Sequence, residues 1–210
     1  AAAAAATVCL IEISGSYGRA VGTGFLIAPS LVLTARHVVE ILIDGTAQHD
    51  EVRVWFDRKF LRNGKALNQG VHYGLADAKP LADDVNLDFA VLRLDGEAGA
   101  GSRGWLRVPA PPIVLTKGAP LIILQYPEGD PLKRALDMRS IAGFSPDKRR
   151  ILHQTNTRPG SSGAPCFDAH WKLVAMHCGV AAGAKGYNEA VIIEGIAARL
   201  RSDGILKDAE

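Results

Sequence analysis

The sequence predicts an all-β fold, and three observations support this prediction. Short runs of β-branched and apolar residues recur along the 210-residue chain and are separated by Gly, Pro and Asp. Helical periodicity is rare, so the crossover helices of a βαβ architecture are missing. The chain is also long enough to bury a sizeable core, as one large β domain or two smaller halves. A sandwich or a barrel therefore fits better than a parallel sheet.

The predicted strands are the apolar runs bounded by turn-forming residues. In the first half they are Thr7 to Ile13, Val21 to Ile27, Leu31 to Thr34, Val52 to Phe56 and Phe89 to Leu94. In the second half they are Ile113 to Leu115, Leu121 to Tyr126, Met138 to Phe144, Arg150 to Thr155, Ala164 to Phe167, Leu173 to Cys178 and Glu189 to Ile193.

The connections follow from polarity and from the position of Gly and Pro. The polar stretch from Arg58 to Asp84 is predicted to be a surface loop with a hairpin. Several glycines and prolines in residues 96–112 predict a linker between two halves, residues 7–95 and 113–203.

Two segments carry a helical signal. Ala35 to Ile41 could form one short turn, and Ile192 to Arg201 has apolar residues at helical spacing with basic residues near its end. The second segment is therefore predicted to be a terminal helix. Ala1 to Ala6 contain no pattern and do not enter the fold prediction.

Composition gives no reason to expect a nucleic-acid or membrane partner. The formal net charge is +2, and no apolar run approaches the length of a membrane span. A signal peptide would need a basic start and a longer apolar core, and neither is visible. A cytoplasmic location is therefore favoured over secretion.

Cysteine usage agrees with that location. Cys9, Cys166 and Cys178 are odd in number and widely spaced, which favours reduced, buried thiols, although a bridge between Cys166 and Cys178 stays open. No His, Cys or carboxylate cluster has metal-ligand spacing, so no metal and no cofactor is predicted.

The chemistry of the chain is indicated by three separated residues. Ser162 lies in Gly160-Ser161-Ser162-Gly163, and His37 and Asp88 precede it. A serine is a poor nucleophile unless a histidine takes its proton and a carboxylate orients that histidine. The order His, Asp, Ser differs from the Ser, acid, His order of α/β-hydrolases, and little chain follows Ser162.

Other candidates for these roles lack a supporting context. Asp83 and Asp84 rival Asp88, but neither opens an apolar strand. The remaining histidines are predicted to be structural: His49, His72, His153 and His170.

The three motifs together resemble the chymotrypsin-fold serine peptidases. Thr34-Ala35-Arg36-His37 is similar to the family's Thr-Ala-Ala-His block, and Asp88-Phe89-Ala90-Val91-Leu92 to its Asp-Ile-Ala-Leu block. Gly160-Ser161-Ser162-Gly163-Ala164-Pro165 is similar to its Gly-Asp-Ser-Gly-Gly-Pro block. The resemblance runs from about Thr7 to Leu200. It implies two antiparallel six-stranded β-barrels of chymotrypsin type with a short C-terminal helix, the first barrel carrying His37 and Asp88 and the second carrying Ser162.

The resemblance also implies a mechanism. Ser162 would attack a carbonyl carbon of a protein or peptide substrate, with His37 as general base and then general acid, and Asp88 fixing the imidazole tautomer. The backbone N–H groups of Gly160 and Ser162 would form the oxyanion hole. Two alternatives stay open: a catalytically silent peptide-binding module of the same fold, and an esterase that uses the same three residues.

One departure from the family concerns activation. The trypsin branch has an Asp before the nucleophile and a cleaved Ile-Val-Gly-Gly start, whereas Ser161 stands there in this chain and no such start occurs. The closer resemblance is to bacterial domains, including HtrA-type proteases and glutamyl endopeptidases. Activity is then expected to be constitutive, or controlled by loop ordering or by a regulatory or sensor protein partner.

Substrate preference depends on four residues that the resemblance assigns to substrate binding: Asn156, Thr157, His177 and Gly179. Thr157 and His177 match the Thr and His with which glutamyl endopeptidases of staphylococcal type hold a substrate carboxylate. This match predicts cleavage after Glu or Asp. The competing interpretation is that His177 is a partly buried strand residue, and Glu189 would oppose an acidic substrate if it lined the pocket.

Overall fold

The computed structural model describes residues 1–61, 64–109 and 112–206. These residues form an all-β fold with a short helix at the end, which confirms the predicted fold class. The helices are α1 (Ala2–Thr7), α2 (Glu40–Ile43) and α3 (Ile193–Ser202). The strands are β1 (Val8–Gly15), β2 (Gly18–Ala28), β3 (Leu31–Ala35), β4 (Val52–Phe56), β5 (Lys59–Phe60), β6 (Leu67–Asn68), β7 (Val71–Tyr73), β8 (Ala82–Asp84), β9 (Phe89–Arg93), β10 (Leu121–Gln125), β11 (Lys133–Asp137), β12 (Ile141–Phe144), β13 (Arg150–His153), β14 (Pro165–Phe167), β15 (Leu173–Val180) and β16 (Asn188–Ile192).

The first half is a barrel-like antiparallel sheet in the order β7-β4-β1-β2-β3-β9-β8. Seven strands replace the six that were expected, because the polar stretch from Arg58 to Asp84 supplies β7 and β8 in addition to the β5–β6 hairpin. Both extra strands lie at sheet edges, where one polar face can remain in water, so alternating hydrophobicity did not mark them.

The second half is also a seven-stranded, barrel-like sheet, in the order β11-β10-β14-β15-β16-β13-β12. Two strand predictions were wrong here. Ile113 to Leu115 is not a strand, and of Met138 to Phe144 only Ile141–Phe144 is. The polar strand β11 was missed, because its pairing with β10 and not its own composition makes it extended.

Helix α3 confirms the predicted amphipathic terminal helix. Ile193, Ile196, Ala197 and Leu200 are buried, and the basic residues Arg199 and Arg201 lie in the last turn. Apolar side chains at helical spacing therefore cover one face of the helix against the strands, while cations lie near its negative end.

The connection between the halves contains no helix or strand in residues 96–109 and 112. Residues 110 and 111 of the predicted linker lie outside the described residues, and the linker bounds stay a prediction. Within the described ranges, no helix is long and apolar enough to span a membrane. The same residues contain no group of three or more His, Cys, Asp or Glu side chains placed to hold a metal ion.

Candidate active site

Strand pairing brings His37 and Asp88 together. His37 lies in the 3-10 turn Arg36–Val39 after β3, and Asp88 directly precedes β9, which pairs with β3. The Nδ1 atom of His37 lies 2.8 Å from Oδ2 of Asp88, and the backbone N–H of His37 donates to Oδ1 at 3.1 Å. One carboxylate thus holds both the ring and its backbone, which places the proton on Nδ1 and leaves Nε2 as a base.

Asp88 adopts a backbone conformation that is unusual outside glycine. Its φ angle is 47°, in the left-handed region, and its carbonyl accepts the N–H of Arg36 at 3.0 Å. Asp tolerates this region better than most residues, and such conformations concentrate at functional sites. The turn therefore sets the direction of the carboxylate.

The rival acids have other partners. Asp83 accepts the Arg36 guanidinium at 2.8 Å, while Asp84 accepts two backbone N–H groups of its own turn and binds Arg199 at 2.8 Å. Of these three acids, Asp88 is the one that contacts the ring of His37.

Thr23, in β2, fixes the loop that carries Ser162. Its backbone N–H donates to the carbonyl of Ser162 at 2.8 Å, and its hydroxyl donates to the carbonyl of Gly160 at 2.8 Å. The same hydroxyl accepts the N–H of Tyr126 at 3.0 Å. The first half of the molecule therefore holds the loop of the second half that carries Ser162, the predicted nucleophile.

The sequence analysis missed Thr23, although a signal was present. Thr23 lies between Gly22 and Gly24 inside a strand, and glycine in a strand marks close approach of other groups. A Cβ at Gly22 would collide with Val38, and one at Gly24 would lie 2.8 Å from Val32.

Gly163 is required by the same close packing. Its φ angle is +85°, and a Cβ there would collide with the carbonyl oxygen of Thr23 and lie 2.9 Å from the N atom of Ala35. Another residue would push the loop away from the first half.

The backbone N–H groups of Gly160 and Ser162 are free to bind a ligand. The carbonyl of Pro159 accepts the N–H of Glu128 at 2.6 Å, and the carbonyl of Ser161 accepts that of Ala164 at 3.0 Å. The C=O and N–H of a trans peptide point in opposite directions. The N–H of Gly160 therefore faces away from Glu128, and the N–H of Ser162 faces away from Ala164. Neither has an acceptor among the described residues. Gly160 is buried and Ser162 is half-buried, where unpaired N–H groups are uncommon, and such a pair suits an anionic oxygen.

The hydroxyl of Ser162 does not contact His37 in this structure. It donates to the carbonyl of Cys178 at 2.9 Å, and no hydrogen bond joins it to His37 in the part of the chain described. The hydroxyl of Ser162 is thus engaged by a backbone carbonyl of its own half of the molecule.

Ser161 closes the loop on itself. It is fully buried, its N–H donates to the carbonyl of Arg158 at 3.0 Å, and its hydroxyl accepts the N–H of Arg158 at 3.2 Å. The position before the nucleophile is thus held by a short local turn.

A cavity of about 190 Å³ lies beside Ser162. Its lining residues are Thr157, Arg158, Pro159, Ser162, His177, Gly179, Val180 and Asn188. The structure thus brings Thr157, His177 and Gly179 to the predicted nucleophile. Asn156 lies apart: it lines a neighbouring cavity of about 340 Å³, and its carbonyl accepts the side-chain amide of Gln125 at 3.1 Å.

His177 is a buried, neutral member of the cavity wall. Its side chain is hardly exposed, and its Nδ1 lies 3.2 Å from Nε2 of His153. Burial, together with nearby His153 and His37, lowers the pKa of His177 to about 3. Burial lowers the pKa of His153 to about 4. Neither ring is charged at neutral pH, and His153, predicted to be structural, is a direct partner of a cavity residue.

Glu189 and the three cysteines, whose roles the sequence leaves open, have clear positions. Glu189 does not line the cavity beside Ser162; it accepts the guanidinium of Arg150 at 3.0 Å. All three cysteines are free and buried, and burial raises the pKa of Cys178 to about 12. A bridge between Cys166 and Cys178 is therefore absent.

Comparisons with known proteins agree with this architecture. Residues 22–176 match the trypsin-like peptidase domain. Over 188 residues, 83% of the chain, the sequence is 27% identical to the uncharacterized protein y4fB of Sinorhizobium fredii (strain NBRC 101917 / NGR234). The chain spans only 28% of the length of that relative.

Solved structures share the fold at low identity. The Rv3671c protease from M. tuberculosis in its active form has a TM-score of 0.70 at 18% identity, covering 100% of this chain and 86% of that chain. The serine endoprotease from Yersinia pestis has a TM-score of 0.69 at 16% identity, covering 97% of this chain and 64% of that one.

Proposed function

The chain belongs to the family of trypsin-like peptidase domains, and on that premise we propose that it is a serine endopeptidase whose catalytic residues are Ser162, His37 and Asp88. The assignment of residues rests on the oriented Asp88–His37 pair and on the loop of Ser162, which has two N–H groups without an acceptor among the described residues. The loop packs against the strand that leads to His37, since a Cβ at Gly163 would lie 2.9 Å from the N atom of Ala35. The pair supplies a base, and the loop supplies the anion-binding donors that acyl transfer requires.

The proposed reaction starts with rotation of the Ser162 hydroxyl away from the carbonyl of Cys178. His37 then takes the hydroxyl proton on Nε2 while the oxygen attacks the substrate carbonyl carbon, and Asp88 stabilises the imidazolium that forms. The N–H groups of Gly160 and Ser162 bind the oxyanion. Loss of one such donor typically lowers the rate about 10²–10³-fold.

His37 next gives its proton to the leaving amine, and the acyl-enzyme remains on Ser162. Water, deprotonated by the same imidazole, attacks the ester carbon, and collapse of the second tetrahedral intermediate returns the proton to Ser162. These steps need no metal or cofactor. The substrate is a protein or peptide.

A silent peptide-binding module is the second candidate. The observation that favours it is the hydrogen bond of Ser162 to Cys178 in place of one to His37. Catalytic hydrogen bonds are often open without substrate, so this observation weighs less than the oriented His37 and the free N–H groups.

Ser161 supports activity without amino-terminal cleavage. In this chain the residue before the nucleophile bonds to Arg158 within its own loop. The loop therefore does not need a newly formed amine to hold it. A time course with an intact and a processed amino terminus should show equal rates, and a strict need for cleavage would contradict this part of the proposal.

Cleavage after Glu or Asp stays the prediction that the match of Thr157 and His177 to glutamyl endopeptidases makes. Thr157 and His177 line one cavity with Ser162, which supports recognition of an oxygen acceptor on the substrate. The lowered pKa of His177 works against a charged partner, because a neutral imidazole provides a hydrogen bond but no counter-charge.

Incubation with a peptide library, analysed by mass spectrometry, tests the proposed function. We expect wild type to cleave internal peptide bonds after a narrow set of residues, and Ser162→Ala to cleave none. Binding of peptides without cleavage, equal in both proteins, would favour the silent module. Cleavage mainly after Lys, Arg or large apolar residues would contradict the acidic preference.

A further inference from the structure

We propose that His153 is a positioning residue that keeps the proton of His177 on Nε2, so that the cavity beside Ser162 selects a side-chain amide, Gln or Asn, before the scissile bond. This inference rests on the proposed function of the same site. It assigns to the cavity an uncharged side-chain amide of the substrate, in place of the Glu or Asp carboxylate that the sequence match predicts.

The hydrogen bond between the two histidines allows two arrangements of protons. Either Nε2–H of His153 donates to Nδ1 of His177, or Nδ1–H of His177 donates to Nε2 of His153. In each case both rings are neutral, which their burial favours.

The remaining nitrogen of His153 decides between the two arrangements. Its Nδ1 atom is buried and has no hydrogen-bond partner among the described residues. In the second arrangement Nδ1 would carry a proton, leaving a buried N–H without an acceptor. In the first arrangement Nδ1 of His153 carries no proton and is an unpaired acceptor. Buried donors without a partner are rarer in proteins than buried acceptors without one. His153 therefore donates, and His177 keeps its own proton on Nε2.

The consequence reaches the substrate through His177. Nδ1 of this ring is bonded to His153, so Nε2 is the nitrogen left for a ligand in the cavity that the ring lines. The backbone of Glu189 also acts on this ring and raises its pKa against the larger lowering by burial, but no hydrogen bond joins Nε2 to a described residue. The cavity wall thus presents an N–H donor with no formal charge.

Two further groups complete a match to an amide. The hydroxyl of Thr157 has no partner in the described part of the chain, and so can donate to the same oxygen. Asn188 donates Nδ2–H to the carbonyl of Thr155 at 3.0 Å, which fixes its amide orientation and leaves Oδ1 as a free acceptor. A substrate amide can place its C=O on His177 and Thr157 and its NH₂ on Asn188.

A substrate carboxylate fits His177, Thr157 and Asn188 less well than an amide does. It has no N–H for Oδ1 of Asn188, and it would lose its hydration without gaining a dedicated cation. Arg158 lines the cavity, but its guanidinium binds Glu128 at 3.3 Å and both side chains are more than half exposed, so the pair is screened. Glu189 is paired with Arg150.

The experiment has one arm that needs activity and one that does not. In the first, kcat/KM is measured at pH 7.5 on peptides that differ only in the residue before the scissile bond: Gln, Glu, Leu or Lys. We expect wild type to prefer Gln about tenfold over Glu and at least ~100-fold over Leu, because the site's donors stay unpaired with Leu.

The variants separate positioning from folding. His153→Leu removes the donor, and the Gln-to-Leu preference should fall about tenfold or more. His153→Gln restores an N–H donor and should recover most of the preference. His72→Gln is the matched control, because His72 stacks on Trp55 in the other half and should leave the preference unchanged.

In the second arm, ¹⁵N–¹H NMR spectra of the wild-type rings at pH 7 report the tautomer. The proton of His177 is expected on Nε2, shifting to a mixture of tautomers in His153→Leu. A proton on Nδ1, a charged ring, or a folded His153→Leu with unchanged preference would overturn the inference, and so would a preference for Glu over Gln. Hydrolysis of no peptide by wild type would instead overturn the proposed function, while the NMR arm would still decide the role of His153.

Discussion

His37 and His177 lie near the same serine in opposite environments. The side chain of His37 is 45% exposed and bonds to the carboxylate of Asp88, whereas His177 is buried and bonds to the neutral ring of His153. In the proposed mechanism, the carboxylate of Asp88 would stabilise the imidazolium that forms when His37 takes the proton of Ser162. Burial against a neutral partner disfavours charge, so His177 stays an uncharged hydrogen-bonding group. We therefore propose that the neighbours of each ring, and not the residue type, assign proton transfer to His37 and substrate recognition to His177.

The largest expected effect is that of Ser162→Ala. It removes the nucleophile beside both histidines, and kcat should fall about 10⁶-fold. The free energy of unfolding should change by about 1 kcal/mol or less, because only the bond to Cys178 is lost. Peptide hydrolysis and urea unfolding measure the two quantities. Ser16→Ala, in an exposed turn, is the control and should retain full activity.

Asp88→Asn tests the pairing of His37 with a carboxylate. The amide can keep the geometry around His37 but not its tautomer or its charge stabilisation, so kcat should fall about 10⁴-fold. Asp83→Asn is the matched control, because Asp83 lies in the same region and binds Arg36 instead. Equal losses in the two variants would mean that the acid was assigned wrongly.

Thr23→Val tests whether the first half of the molecule positions the nucleophile loop. The change conserves shape but leaves the carbonyl of Gly160 and the N–H of Tyr126 without a partner. We expect a loss of about 2 kcal/mol in the free energy of unfolding and at least a tenfold drop in kcat/KM. Thr23→Ser keeps the hydroxyl and should recover most of both. A kcat/KM unchanged in Thr23→Val would show that the tie is not needed for catalysis.

The buried pair of His177 and His153 is tested through the pH dependence of stability. Folded His177 and His153 have pKa values lowered to about 3 and about 4, whereas an unfolded histidine titrates near 6.5. Below that pH the unfolded chain binds protons that the folded chain does not. The free energy of unfolding should therefore fall as pH drops from about 6.5 towards 4, by up to about 1.4 kcal/mol per pH unit for each ring.

Urea unfolding at pH 7.5 and pH 5 measures this slope. His153→Gln removes one of the two rings and should reduce the slope, whereas exposed His72→Gln should not. Equal slopes in the two variants would show that the buried rings do not stay neutral.

Much of the fold, and the pairing of His37 with Asp88, could be predicted from the sequence. His37 and Asp88 could be predicted because each lies beside an apolar strand, and strands β3 and β9 are adjacent in the structure. The amphipathic pattern of α3 predicted its position almost to the residue. These signals are local, and each is contained in one short segment.

The features that were missed depend on contacts between distant segments. Thr23 contacts a loop that lies 137 residues away at Gly160. His153 lies near His177 because β13 pairs with β16, and β16 with β15, so that Asn188 is opposite both His153 and Val180. A sequence gives strand patterns but not strand register, so it could not place His153 beside His177 or separate Asn156 from the cavity.

The central claim is that Ser162 is an activated nucleophile. Treatment with a fluorophosphonate, followed by peptide mapping in a mass spectrometer, tests it most directly because it requires no knowledge of the substrate. We expect one adduct on Ser162 in wild type, much slower labelling in Asp88→Asn and none in Ser162→Ala. A folded wild-type protein that stays unlabelled, or that carries the adduct on another residue, would contradict the claim.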